Sequence, residues 1–87
     1  MEYFNYNYIT DAATTTVAAR PAFLHSITLN EATTGAITIL DGATTIGIIK
    51  AATAAQTLTY DVCLKTSLKI TTAQADDITV SFKPLTI

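Results

Sequence analysis

Between Phe23 and Phe82 the chain alternates apolar and polar residues in a nearly unbroken series of short runs. Leu58, Tyr60, Val62 and Leu64 take every second position, with Thr57, Thr59, Asp61 and Cys63 between them. Ile78, Val80 and Phe82 repeat the arrangement against Asp77, Thr79, Ser81 and Lys83. Successive side chains of a strand point to opposite faces, so a period of two predicts sheets with one buried side. The outward positions are mostly threonine, a stiff β-branched residue that suits strands.

The punctuation between runs sets the elements. In Glu2–Ile9, Phe4, Tyr6 and Tyr8 share one face, while Tyr3, Asn5, Asn7 and Ile9 share the other. Two readings stand side by side: a first strand pinned to a sheet edge, or an arm lying against another chain. Tyrosine offers large contact area with a hydrogen-bonding tip, which makes Tyr3, Phe4, Tyr6 and Tyr8 the candidate partner-binding residues. A weak strand at Thr14–Ala19 is closed by Pro21, which lacks a ladder donor. Ala22–Asn30 follows as a strand with Phe23, His25, Ile27 and Leu29 on one face. Asp41-Gly42 predicts a type I′ hairpin between Ala36–Leu40 and Ala43–Lys50. That register opposes Leu40 to Ala43 and Ile37 to Ile46, so Ile37, Ile39, Ile46 and Ile48 fall on one face. Gly47 marks a bulge or a close backbone approach.

Ala51–Ala55 is too short for a stable helix and serves as a connector between sheets. Gln56–Leu64 and Leu68–Thr72 are expected to form a second hairpin around Lys65-Thr66-Ser67. Asp77–Lys83 is the last strand, ended by Pro84. The expected fold is all-β, a compact antiparallel β-sandwich or small barrel of about seven or eight strands. The 87 residues make a single domain, with 1–10 as an N-terminal arm or edge strand.

Composition narrows the function classes. Five basic and seven acidic residues give a net charge of −2, and the basic ones are scattered, so no footprint for nucleic acid is expected. Low charge beside abundant hydroxyls describes a surface that a neighbour covers at small desolvation cost. An apolar fraction of 49% rests heavily on alanine, which leaves a modest core that gains from burial against other subunits. Cys63 is the lone cysteine and is read as a small packed or interfacial side chain. No basic start with an apolar run opens the chain, and no stretch is long enough to span a membrane, so cytoplasmic synthesis is expected.

Candidate chemistry is thin. His25 has no second histidine or cysteine to share a metal, so no metal site and no cofactor is expected. Asp76-Asp77 invites a calcium reading, but no further acidic or amide residues follow at alternate positions, so a turn followed by an exposed strand start is the preferred reading. The three serines fall outside nucleophile motifs, and Gly35, Gly42 and Gly47 are spaced wrongly for a phosphate loop. The expectation is a protein that is not an enzyme.

Four segments carry a family resemblance. They are the strand Leu24-His25-Ser26-Ile27-Thr28, the hairpin start Ile37-Thr38-Ile39-Leu40-Asp41, the strand Thr57-Leu58-Thr59-Tyr60-Asp61-Val62 and the closing Asp77-Ile78-Thr79-Val80-Ser81-Phe82. Together they resemble small all-β virion proteins of tailed bacteriophages, over about Arg20–Lys83. The turn after Leu64 departs from the family pattern, with Lys65-Thr66-Ser67 where Asn-Gly is common. The resemblance implies a head decoration or cement protein on the capsid exterior of the virion. It would bind the major capsid protein and itself, as a homotrimer, with Glu2–Ile9 as the contacting arm. The alternatives are a host- or glycan-binding module on a fibre or tail, and a small tail or connector protein.

Overall fold

The eight runs of alternating residues become eight strands, β1 (Asn5–Ile9), β2 (Thr14–Ala18), β3 (Ala22–Leu29), β4 (Ile37–Asp41), β5 (Thr44–Ile49), β6 (Thr57–Leu64), β7 (Leu68–Thr72) and β8 (Ile78–Pro84). The computed structural model describes residues 4–85, so Tyr3 lies outside the described residues. The strands form two four-stranded antiparallel sheets, in the orders β1-β8-β3-β6 and β2-β7-β4-β5. The sheets pack face to face as a sandwich, not a closed barrel, with a short dimension of 18 Å.

The ladders include β1 with β8, β2 with β7, β3 with β6 and β4 with β5. This nested pairing is what results when one long antiparallel ribbon is rolled up, and it defines a jelly roll. Only β4 and β5 are joined as a hairpin; every other connection passes from one sheet to the other.

The core fills the space between the sheets. Leu24, Ile27, Leu29, Ile78 and Val80 from one sheet meet Ile37, Ile39, Leu68 and Ile70 from the other, all at 2% exposure or less. Each such side chain contributes roughly 1.5–3 kcal/mol by leaving water. Tyr60 also points inward: a Cβ added to Gly47 would lie 3.6 Å from its ring and its hydroxyl. That is ordinary contact distance, so of the two roles expected for Gly47 it is the bulge, at the adjacent Ile46, that the register shows.

Three expectations need correction. First, the β4–β5 turn is Gly42-Ala43, one residue later than expected, with Asp41 paired to Thr44 inside the ladder. Gly42 has φ +62° and Ala43 is not at positive φ, the sign pattern of a type II′ turn. Asp41 is held back because its carboxylate accepts the Lys65 and Thr66 N–H groups at 3.0 and 2.8 Å. Ile46 is then the extra residue of a bulge, so Gly47 and Ile49 face inward while Ile46 and Ile48 are exposed.

Second, Lys65-Thr66-Ser67 does not close a hairpin, because β6 and β7 lie in opposite sheets. Leu64 and Leu68 are both buried, but they enter the core from opposite sides. A hairpin and an inter-sheet arch produce the same apolar alternation, so periodicity alone does not separate them.

Third, β3 changes face midway. It gains one residue relative to β8 between Leu24 and Ser26. Leu24 and Ile27 are therefore both in the core, and His25 lies on the outer side with Phe23. The expected apolar face for His25 belongs to a strand without a bulge.

Candidate functional site

The outer face of the β1-β8-β3-β6 sheet gathers most of the distinctive chemistry of the molecule. Asn5, Asn7 and Ile9 of β1 pair with the inward-facing Phe82, Val80 and Ile78, so alternation turns Phe4, Tyr6 and Tyr8 outward. Phe4 is 40% exposed, Tyr6 75% and Tyr8 56%. Of the candidate contact residues, these three form one aromatic row along the sheet edge.

The row is anchored at both ends. Phe4 stacks on His25, with ring centroids 4.3 Å apart and planes 10° from parallel, and lies 6.3 Å from Phe23. His25 Nδ1 in turn donates to Asp61 Oδ1 at 2.6 Å. Two bulges at one level create this meeting. β3 carries an extra residue against β8, and β6 carries an extra residue against β3, so Tyr60 and Asp61 together oppose His25. Asp61 adopts φ +50°, a left-handed conformation that aspartate tolerates better than most residues. Bulges of this kind re-aim a side chain, here setting a carboxylate beside an imidazole on the solvent side.

At the other end, the Tyr8 hydroxyl donates to Asp77 Oδ2 at 2.9 Å. Asn30 Nδ2 reaches Asp77 Oδ1 at 3.0 Å and Thr79 Oγ1 at 3.2 Å. The hydrogen bond to Asp77 raises the Tyr8 phenol above its ordinary pKa, with lesser contributions from desolvation and nearby carboxylates. The ring of Tyr6 stands between these anchored ends as the most exposed large hydrophobic side chain described.

Asp76 is turned away from this face. It is 5% exposed and accepts the Thr34 N–H, the Thr34 hydroxyl and the Gly35 N–H at 2.8, 2.9 and 3.2 Å. Burial alone would raise its carboxyl, but the three donors outweigh burial and hold it below the usual range. The neighbouring carboxylates thus serve separate networks, Asp76 a loop clasp and Asp77 the tyrosine row. Among the described residues no three His, Cys, Asp or Glu side chains converge as metal ligands.

Sequence reading finds the aromatic row but misses His25 and Asp61 as a pair. Their partnership depends on two coincident bulges, and nothing local in either run signals it. A cleft of about 380 Å³ between β1 and β2 is lined by Asn5, Val17, Arg20, Pro21 and Phe82 among others, without converging titratable groups. Ile46 and Ile48 of β5 and Val62 of β6 are further exposed apolar side chains. No helix among the described residues is long and apolar enough to cross a membrane. Comparison of the chain with protein-family models, with curated proteins and with solved structures yields no match in any of the three.

Proposed function

We propose that the chain is a structural protein of a tailed-bacteriophage virion, a decoration or cement protein on the capsid exterior that stabilises the head. It binds the major capsid protein and associates with itself; a homotrimer is what the resemblance implies. The observation that carries this reading is the row of Phe4, Tyr6 and Tyr8, exposed on a sheet face where Thr28, Thr57, Thr59, Thr79 and Ser81 surround the His25–Asp61 pair and Asp77. Aromatic residues with polar tips supply contact area with little charge to desolvate. The jelly roll favours the same reading by analogy, since capsid proteins use it, although lectins and cupins do too.

Because β1 contributes Ile9 to the core, deleting Glu2–Ile9 would perturb the fold along with the contact. The sharper test leaves the strand in place. Purified virions containing the wild-type chain should show it on the head exterior by cryo-electron microscopy. The double variant Tyr6→Ser, Tyr8→Ser should fold but be lost from particles. A chain absent from virions, or retained equally by the double variant, overturns the proposal.

A glycan-binding module on a fibre or tail is the second reading, favoured by the open Tyr6 ring beside the Asp77–Asn30 hydrogen-bonding groups. Density on the tail together with glycan-array binding that Tyr6→Ser abolishes would select it.

A further inference from the structure

We infer that β1 is a pairing edge, at which a second copy of this chain adds its own β1 antiparallel about a two-fold axis through Asn7. The two sheets have four edge strands, β1, β2, β5 and β6. A free edge displays unpaired N–H and C=O groups, and proteins blunt such edges with bulges, charges or proline. β2 carries an extra residue at Val17, β5 at Ile46, and β6 an extra residue with Asp61 at positive φ. β1 has none of these devices. Its five residues keep unbroken register with β8, and Asn5–Ile9 contains no charge and no proline.

An unpaired row of backbone groups is matched by an extended strand, and the side chains of β1 suit its own copy. Directly opposed residues of an antiparallel pair face the same side, so the inner and outer faces of two copies stay continuous only if the axis passes through a residue. Centring it on Asn7 pairs all five residues: Asn5 with the second copy's Ile9, Tyr6 with its Tyr8, and Asn7 with its Asn7. Two symmetric Tyr–Tyr cross-strand pairs form on the outer face. At the axis, amide meets amide, and no like charges oppose one another.

The product is an eight-stranded sheet with one continuous aromatic band, twice the contact face of a single copy. The edge supplies self-association while the rings remain presented. The symmetry is two-fold, in place of the threefold that the family resemblance implies. The pairing does not depend on the proposed virion role, since it is measured on the isolated chain.

Sedimentation velocity over a concentration series should show a monomer–dimer equilibrium. Asn7→Asp is nearly isosteric and sets two carboxylates at the axis, so the dissociation constant should rise about tenfold or more. A second measurement covers loss of folding in that variant. In a Cys63→Ser background, Asn7→Cys should cross-link to a covalent dimer under mild oxidation, because opposed Cα atoms lie about 4.5–5.5 Å apart. Asn5→Cys should not, since its symmetry mate is about 14 Å away along the strand. A persistent monomer, a trimer, or failure of Asn7→Cys to cross-link would overturn the inference.

Discussion

Single residues in this molecule are fixed by hydrogen bonds that cross long stretches of sequence. Asp41 holds the backbone of Lys65 and Thr66, Asp76 holds Thr34 and Gly35, and Asp61 holds His25. Among these, Asp76 is the most buried and leaves the most donors stranded when lost. Asp76→Asn keeps the shape but replaces one acceptor with an amine that faces N–H groups. We expect a loss of about 1–3 kcal/mol in urea unfolding at neutral pH. The pH dependence follows from the depressed carboxyl. A group whose pKa is lower when folded adds stability above its unfolded value and loses it as pH falls through the folded one. The wild-type chain should therefore weaken as pH drops through and below the ordinary carboxylate range. Asp76→Asn should weaken less steeply there, with Asp41 supplying part of what remains. Equal acid slopes for the two proteins would show that the clasp is not ionised as described.

At the scale of elements, the corrected register of β5 makes a direct prediction. With Ile46 in a bulge, Ile48 is 57% exposed and Ile49 only 5%. Ile48→Thr should change stability by no more than about 0.5 kcal/mol. Ile49→Thr should cost about 2–4 kcal/mol, through the lost packing and a buried hydroxyl. The register expected from an Asp41-Gly42 turn would reverse that order, so chemical denaturation of the two variants distinguishes them. The same example explains what periodicity reveals. Leu58, Tyr60 and Leu64 point inward as the alternation of β6 predicts, and β7 spans the expected Leu68–Thr72. Periodicity marks which residues of a run face the core, but a bulge changes its phase without any local signature. Leu24 and Ile49 are read correctly only once the extra residues at His25 and Ile46 are known. Which sheet a strand joins is equally silent, because Leu64 and Leu68 satisfy a hairpin and an arch alike. The aromatic row was legible because β1 has no bulge to disturb it.

For the whole molecule, nested pairing orders the ladders by the length of chain each must close. β4 and β5 are joined by a two-residue turn, whereas β1 and β8 bring the two ends of the described chain together. Loop-closure entropy grows with separation, so the inner pairs can form early and the outermost pair closes a structure already assembled. Ile39 of β4 and Ile9 of β1 report on the two extremes, since both are buried in the same core. We expect Ile39→Val to slow refolding and Ile9→Val chiefly to speed unfolding, giving a higher φ-value at Ile39 than at Ile9. Each substitution should cost about 0.5–1.5 kcal/mol, which is enough for the comparison at the upper end of that range. With nearly all ladders non-local, refolding itself should take milliseconds to seconds. Stopped-flow chevrons on the two variants test the order. Equal φ-values, or a higher one at Ile9, would mean that the ribbon does not roll up from its centre. A higher φ-value at Ile39 would also bear on the proposed pairing: a strand that docks last and keeps a regular free edge would let two copies meet at least cost to either fold.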